Sequence, residues 1–291
     1  ISVSKSLFAP RIGAAYRIND DTVLRAGFGR TFNPMPWSRP LRGWYPYTIA
    51  YSNSTNVPYL PFTTLANGLP AAPSPDTSTG IVPLPRGVNM RWAEPNNVDR
   101  GTTDSWNIFI ERRLPMDLAL GVGYVGTATN NGYADRNLNW AESGGNANRQ
   151  YFTQAGTANV LSWGARTKGR YHSLQVALNR PFKNGLLLKG AYTFSKALNE
   201  TDDDGWATLS WNQESQLSRN YARAGYDRPH ILQLGFVYEL PFARESSGAL
   251  AQIVKNWQIN GIGSIVSGSP FTVGGDNAAL NQQAGLQTIN V

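Results

Sequence analysis

Period-two alternation of apolar side chains, strands about ten residues long, and a rhythm of short and long connections together predict an all-β fold. The predicted architecture is a segment of an antiparallel transmembrane β-barrel with about eight long strands. Short turns would lie on the periplasmic rim and long loops on the extracellular rim. A tilted strand of about ten residues can cross the hydrocarbon layer, whereas strands of soluble proteins average roughly five or six residues.

The first predicted hairpin lies near the beginning of the chain. One face of its first strand carries Ile12, Ala14, Tyr16 and Ile18. After the turn signal at residues 19–21, the same face of the second strand carries Leu24, Ala26, Phe28 and Phe32. Arg30 also falls on this apolar face, so we expect it near a rim, where its long side chain can reach polar surroundings.

Two further hairpins follow the same pattern. The second turns at residues 115–117, and its apolar set is Trp106, Ile108, Ile110, Leu118, Leu120, Val122 and Tyr124. Arg112 falls on this face and is likewise expected near a rim. The third turns at Lys183-Asn184-Gly185, and its apolar set is Leu174, Val176, Leu178, Leu186, Leu188, Tyr192 and Phe194.

The fourth predicted pair begins in the stretch NYARAGYDRPHILQLGFVYELPF, residues 220–242. Its apolar row is Leu232, Leu234, Phe236, Tyr238 and Leu240, and its partner strand begins at Trp257. Backbone groups in hydrocarbon must pair within the protein, so a closed sheet is the available non-helical solution. The apolar row is therefore predicted to face lipid and the mixed row to face a wet interior.

The connections between hairpins differ from the turns within them. Residues 33–104, 127–169 and 197–229 are predicted to be long, irregular loops, rich in Pro, Gly, Asn, Trp and Tyr; such loops are usually functional. A soluble β-sandwich also has alternating hairpins, but it would show shorter strands and more Lys or Glu on its outer faces.

Composition excludes several classes of protein. The chain has 291 residues, a formal net charge of +7 and no cysteine, which excludes a disulfide scaffold and a cysteine metal site. It contains no run of about 18 apolar residues, which excludes a transmembrane helix. The opening ISVSKSLFAPRIG has neither an initiator Met nor a signal-peptide pattern, so we expect the chain to be a piece of a longer protein.

Four ordered segments resemble a known family. They are FAPRIGAAYRINDDTVLRAGFGRTFNP (8–34), YHSLQVALNRPFKNGLLLKGAYTFSKAL (171–198), NYARAGYDRPHILQLGFVYELPF (220–242) and NWQINGIGSIVSGSPFTV (256–273). The set resembles the carboxy-terminal barrel of TonB-dependent outer-membrane receptors, particularly the Oar-like branch. The resemblance implies a 22-stranded barrel in the bacterial outer membrane and energised uptake of a large, scarce solute such as a siderophore, glycan or peptide.

The resemblance also implies partners. These are outer-membrane lipid and lipopolysaccharide, a plug domain, and the TonB complex, which would be reached through an amino-terminal region; no cofactor is implied. The sequence departs from the family pattern because it shows about eight strands, with no plug, TonB box or terminal aromatic strand. Residues 1–291 are therefore predicted to be a partial receptor barrel.

Aromatic and arginine side chains in the long loops are the candidate ligand-binding residues. They are Trp37, Trp44, Tyr45, Tyr47, Trp140, Trp163, Arg166, Trp206 and Trp211. Rings stack on sugars or peptides, and arginine holds carboxylate or phosphate. The alternative is that these side chains pack the loops against one another and against the rim.

An acidic run in the third long connection is a weak calcium candidate. Asp202, Asp203 and Asp204 offer the hard oxygen ligands that Ca²⁺ takes, but they lack the full spacing of an EF-hand loop. A solvated extracellular loop is the favoured interpretation of this run.

Catalysis and nucleic-acid binding are both disfavoured. His230 lies three residues from Asp227 and His172 adjoins Ser173, but neither pair belongs to a nucleophile motif, so the chain is predicted not to be an enzyme. The basic residues are dispersed and form no tract, so no nucleic-acid partner is expected. Interior arginines such as Arg11, Arg17 and Arg25 would suit a plug or lipopolysaccharide at a rim.

Two alternatives to a transport receptor stay open. One is an adhesive or structural surface protein, whose barrel only displays its loops. The other is an outer-membrane hydrolase that uses His230.

Overall fold

A ten-stranded sheet is the main element of the part of the chain that the structure describes. The computed structural model describes residues 7–35, 44–46, 48–49, 55, 57, 59–69, 71, 74–94, 96, 98–142, 145–203, 207–242, 253 and 257–271. The strands are β1 (Arg11–Asn19), β2 (Thr22–Phe32), β3 (Met90–Ala93), β4 (Thr102–Leu114), β5 (Leu118–Asn137), β6 (Val160–Lys183), β7 (Leu186–Asn199), β8 (Ala222–Arg223), β9 (His230–Glu239) and β10 (Gln258–Val266).

The strand order confirms the predicted all-β antiparallel architecture. In the described part of the chain, eight strands form a continuous antiparallel path in the order β1-β2-β4-β5-β6-β7-β9-β10. The short strand β3 pairs in parallel with β6, and β8 pairs with β7. Short 3₁₀ turns at Asn146–Asn148 and Glu214–Asn220 and an α-helical turn at Phe152–Ala155 complete these elements. No helix among the described residues is long and apolar enough to cross a bilayer.

The predicted tight turns form where their residues adopt left-handed backbone geometry. Asn184 and Gly185 have φ values of 52° and 76°, as a two-residue type I′ hairpin between β6 and β7 requires. Met116 and Asp117 also have positive φ, and they close the β4–β5 hairpin. The side chain of Asn19 accepts the N–H of Asp21 at 3.0 Å in the β1–β2 turn.

One face of the sheet is apolar across its full width. A single row of register partners contains Tyr16, Leu24, Ile110, Val122, Val176, Tyr192, Leu232 and Ile265. The adjacent row on the opposite face contains Arg17, Val23, Glu111, Gly121, Ala177, Ala191, Gln233 and Ser264. The eight strands therefore place large apolar side chains on one face and mainly small or polar side chains on the other.

The two arginines predicted on the apolar face lie close to strand ends. Arg30 precedes the end of β2 by two residues, and it donates to both carboxylate oxygens of its register partner Asp104 at 2.6 and 2.8 Å. Arg112 precedes the end of β4 by two residues and is opposite Thr22, the first residue of β2. Their positions fit the expectation that each side chain leaves the apolar face near a rim.

The prediction of long irregular loops was wrong in several places. β5 continues to Asn137 and β6 already begins at Val160, so much of 127–169 is a two-stranded ribbon. Residues 90–93 and 222–223 also form strands, inside segments predicted to be irregular. Residues 132–135 and 160–165 of the ribbon are buried in unbroken runs, so they lack the apolar–polar alternation that marks the other strands, and residues 90–93 and 222–223 are too short to show it.

The ribbon carries the main buried cluster. Trp163 is fully buried and stacks on Tyr133 with ring centroids 4.5 Å apart. Val98 and Ala165 pack with them. Register shifts between Thr129 and Tyr133 separate this cluster from the alternating part of β5.

The charged stretch before β9 forms a corner centred on Asp227. This buried carboxylate accepts the N–H of Ala197 at 2.8 Å and pairs with Arg223, whose Nε lies 2.9 Å away. The carbonyl oxygen of Pro229 accepts the N–H of Ser195 at 2.9 Å. The corner therefore attaches the segment before β9 to β7.

Candidate functional site

A row of neutral polar residues ends the polar face of the sheet, next to the long loops. Its register partners are Thr31, Thr103, Thr129, Gly169 and Asn199. The hydroxyl oxygens of Thr103 and Thr129 lie 3.2 Å apart, and Thr103 also donates to Oδ1 of Asn33 at 3.2 Å. We call this end of the polar face the mouth.

A cavity of about 380 Å³ opens at the mouth. Its lining includes Asn33, Thr103, Thr129, Tyr133, Thr167, Lys168, Asn199, Asp202, Asp203 and Tyr226. The ammonium of Lys168 lies 4.9 Å from the centroid of the Tyr221 ring. Sequence reasoning did not identify Thr103, Thr129 or Tyr226, because threonines within a strand and a single tyrosine give no distinctive signal. We call this space the mouth cavity.

A second cavity, of about 680 Å³, is formed by the first long loop and brings together two of the predicted ligand-binding residues. Its lining is Trp44, Tyr45, Thr48, Ile49, Ser74, Pro75, Pro85, Gly87, Val88 and Asn89. The hydroxyl of Tyr45 donates to the carbonyl oxygen of Pro83 at 3.0 Å, which holds the ring at the cavity. Aromatic and proline surfaces of this kind suit the flat apolar parts of a ligand. We call this space the loop cavity.

A buried ion pair supports the loop cavity from the ribbon. Arg91 of β3 places its guanidinium 4.6 Å from the centroid of the Trp44 ring, and it pairs with the Asp135 carboxylate of β5. Both members of the pair are almost completely buried. Arg91 therefore connects the ribbon to an aromatic residue of the loop cavity.

Burial dominates the electrostatics of this pair. It raises the pKa of Asp135 to about 6, because desolvation of the carboxylate outweighs the attraction of Arg91. Burial likewise lowers the pKa of Arg91. Among the described residues, Oδ1 of Asp135 has no hydrogen-bond partner, which adds to the cost of the ionised form.

Two predicted residues of the second loop lie in the ribbon. Arg166 donates to the carboxylate of Glu94 at 2.7 Å and lies 3.3 Å from the hydroxyl of Ser162. Trp163 has 0 % of its surface exposed, so its position fits the packing alternative.

The other described candidates lie apart from both cavities. Trp140 is half-buried, and its carbonyl oxygen accepts the N–H of Gln150 at 3.0 Å. Trp211 lies beneath the guanidinium of Arg219, which is 5.3 Å from the ring centroid. Trp37, Tyr47 and Trp206 fall outside the described residues.

The acidic run has a structural contact of its own. Asp202 accepts the N–H of Gly225 at 3.0 and 3.1 Å and an amide N–H of Asn199 at 2.7 Å. Asp203 is exposed, and Asp204 lies outside the described residues. Among the described residues, no group of three or more His, Cys, Asp or Glu side chains is arranged to hold a metal ion.

Both histidines contact tyrosines across neighbouring strands. Nδ1 of His172 lies 2.5 Å from the hydroxyl of Tyr124, and Nδ1 of His230 lies 2.8 Å from that of Tyr192. The rings of each pair are stacked. Both pairs lie on the apolar face. Asp227, the neighbour of His230 in sequence, bonds instead to Ala197 and Arg223.

Comparisons with known proteins agree with this geometry. A family described as "Outer membrane beta barrel domain" matches residues 1–291. No curated protein matches the chain.

Several solved structures are similar at low identity. The ferric-catecholate import receptor Fiu from K12 E. coli is 12 % identical, with a TM-score of 0.39 over 80 % of this chain and 22 % of that one. The ferripyoverdine receptor of the Pseudomonas aeruginosa outer membrane is 13 % identical, with a TM-score of 0.37 over 84 % and 21 %. The outer membrane transporter YddB from Escherichia coli is 8 % identical, with a TM-score of 0.43 over 85 % and 31 %. The chain thus spans about a fifth to a third of the length of these structures.

Proposed function

The chain belongs to the outer membrane beta barrel domain family and lies in the bacterial outer membrane, and from this premise we propose that it is part of a TonB-dependent receptor barrel of the Oar-like type. The proposed receptor takes up a large, scarce solute, a siderophore, glycan or peptide, with energy supplied through the TonB complex. Its loops recognise the solute on the extracellular side. The single observation that carries this proposal is the division of the sheet into two faces, with the mouth cavity at the loop end of the polar face.

The two faces support a role in a membrane wall. The apolar row that extends from Tyr16 to Ile265 is suited to lipid, and the opposite row is suited to water. In the described residues the strand path ends at β1 and β10. Unpaired backbone groups at such edges cost several kcal/mol each in hydrocarbon, so we propose that further strands of a larger, 22-stranded barrel complete the sheet.

The cavities support a role in recognition. Trp44 and Tyr45 line the loop cavity, so of the predicted residues they are our proposed ligand contacts. The cavity volume of about 680 Å³ lies within the range of small-ligand sites, roughly 300–1,000 Å³. The plug domain and the lipopolysaccharide contacts of the Oar-like type remain part of the same proposal.

Uptake in cells tests the proposed function. A strain that lacks the parent gene, with or without a plasmid copy, is given a fluorescently labelled ferric tris-catecholate, maltoheptaose or tetrapeptide. We expect the plasmid copy to restore accumulation of at least one probe and a proton uncoupler to abolish that accumulation. The double variant W44A/Y45A should accumulate less, while its heat-modifiable migration on gels stays that of the wild type.

Two results would count against energised transport. Accumulation that is insensitive to the uncoupler indicates a passive pore. If the plasmid copy changes cell adhesion but the accumulation of no probe, the surface-display alternative replaces the receptor.

A further inference from the structure

We infer that the mouth cavity binds a neutral, polyhydroxylated ligand, namely one end of an oligosaccharide. This inference rests on the proposed receptor function and narrows its substrate class. It depends on the residues of the mouth cavity, none of which is among the loop aromatics and arginine predicted from the sequence.

Hydroxyl chemistry is the first argument. Because the single proton of the Thr103 hydroxyl goes to Asn33, Thr129 must donate to Thr103 across their 3.2 Å contact. Each hydroxyl has two acceptor lone pairs, so both can still accept hydrogen bonds from a ligand. Sugar hydroxyls also donate and accept, which matches a row of threonine and asparagine side chains.

An aromatic surface is the second argument. Tyr226 lines the mouth cavity and has 62 % of its surface exposed. An exposed tyrosine ring offers a flat apolar surface with a polar edge, which suits the C–H face of a sugar ring. Tyr133 is buried at the same cavity, and its hydroxyl donates to the carbonyl oxygen of Asp99 at 3.1 Å.

Charge is the third argument. The described lining contains two carboxylates, Asp202 and Asp203, and one ammonium, that of Lys168. It contains no arginine, the side chain that binds carboxylate and phosphate groups in a bidentate manner. The described lining therefore lacks the bidentate donor that an anionic ligand such as a ferric catecholate would use, whereas a neutral sugar does not need one.

Size is the fourth argument. The volume of about 380 Å³ lies near the lower end of the range for ligand sites, roughly 300–1,000 Å³. A cavity of this size holds one end of an oligosaccharide, and the remaining sugar units would contact the loops.

Calorimetry on the purified full-length protein in detergent tests this inference. The neutral probes are maltohexaose, cellohexaose, xylohexaose and N-acetylchitohexaose; the anionic probes are hexagalacturonate and a ferric tris-catecholate. We expect at least one neutral probe to bind, with affinity at least tenfold lower in the double variant T103V/T129V and in Y226A. Y226F, which keeps the ring, should bind within twofold of the wild type.

The matched control is Thr193→Val, a threonine on the polar face of β7 that does not line the mouth cavity. Its affinity should equal that of the wild type, and all variants must show wild-type heat-modifiable migration. If T103V/T129V fails that check, the comparison of Y226A with Y226F decides.

Three results would overturn the inference: no neutral probe binds, a neutral probe binds all variants equally, or an anionic probe is the one whose binding the variants lose. Failure of the receptor function gives a different result. Variant-sensitive oligosaccharide binding without uncoupler-sensitive uptake leaves the sugar site standing and removes energised transport. If the catecholate is the only probe taken up and its uptake is sensitive to the uncoupler, energised transport stands and the sugar site is removed.

Discussion

The indole of Trp106 lies directly against Gly126, its register partner on β5, so that a Cβ atom at position 126 would be 2.3 Å from Cε2 of the ring. The same indole approaches His172 on β6, with ring centroids 6.2 Å apart. Gly126 therefore provides the space in which an aromatic side chain of the apolar face lies against the sheet. An aromatic ring that covers a strand glycine protects the backbone around it.

Gly126→Ala should displace this ring. Because the indole must leave its position and lose its contact with His172, we expect a loss of about 1–3 kcal/mol in stability. Urea titration of the full-length protein in detergent, followed by the fraction that migrates as the folded form on unboiled gels, measures the loss. Gly235→Ala is the matched control, because a Cβ at Gly235 would meet nothing within 4 Å; equal stability of the two variants would contradict the assigned role of Gly126.

Asp227→Ala should loosen the corner before β9. The substitution leaves the N–H of Ala197 without its acceptor, and an unsatisfied buried donor costs about 1–3 kcal/mol. Hydrogen exchange of the amide of Ala197 is expected to rise accordingly. Arg223→Gln should have a smaller effect, since the Arg223 side chain is half exposed and its ion pair is screened; a larger effect of Arg223→Gln would show that the ion pair is the main contribution.

Val176→Arg tests which face meets lipid. Val176 belongs to the apolar row, and an arginine at the bilayer midplane costs a transmembrane barrel about 2–4 kcal/mol. Ala177→Arg, one residue further along β6, places the same charge on the polar face and should be tolerated. Folding yield into lipid vesicles measures both variants, and the assignment of the faces fails if Ala177→Arg is the more damaging.

The stability of the ribbon should depend on pH through Asp135. Burial raises its pKa to about 6, so the folded chain keeps this proton up to about pH 6, whereas an unfolded carboxyl loses it near pH 4. The contribution of Asp135 to stability is therefore largest below about pH 4, decreases between about pH 4 and 6, and is constant above that range.

Hydrogen exchange of amides 133–137, corrected for intrinsic exchange rates, measures this dependence. We expect wild-type opening to become easier between pH 4 and 6 and Asp135→Asn to lack that change. Asp203→Asn alters an exposed carboxyl and should keep the wild-type profile. A profile for Asp135→Asn that follows the wild type would assign the pH dependence to another group.

The hairpins could be predicted from the sequence because their determinants are local. The turn Asn184-Gly185 fixes its own backbone geometry, and the alternation around Val122 and Val176 needs only neighbouring residues to be recognised. The resulting expectation of an antiparallel sheet of about eight long strands is confirmed.

The ribbon could not be predicted, because distant residues determine it. Asp135 and Arg91 pair across 44 positions of sequence, and Trp163 is buried because Tyr133 covers it from another strand. For the same reason, only part of the candidate site could be predicted. Trp44 and Tyr45 reach a cavity, whereas the mouth cavity is lined by threonines, asparagines and other residues that the sequence alone does not distinguish from the rest of the polar face.

The register shifts between Thr129 and Tyr133 divide β5 into two parts with separate packing requirements. An extra residue in a strand reverses the side to which the following side chains point, so the alternation below the shift does not prescribe the pattern above it. The residues of β5 beyond Gly132 therefore do not need the apolar outer face that the rest of the strand presents. The ribbon can therefore change in sequence without disturbing the alternation that the sheet below it requires.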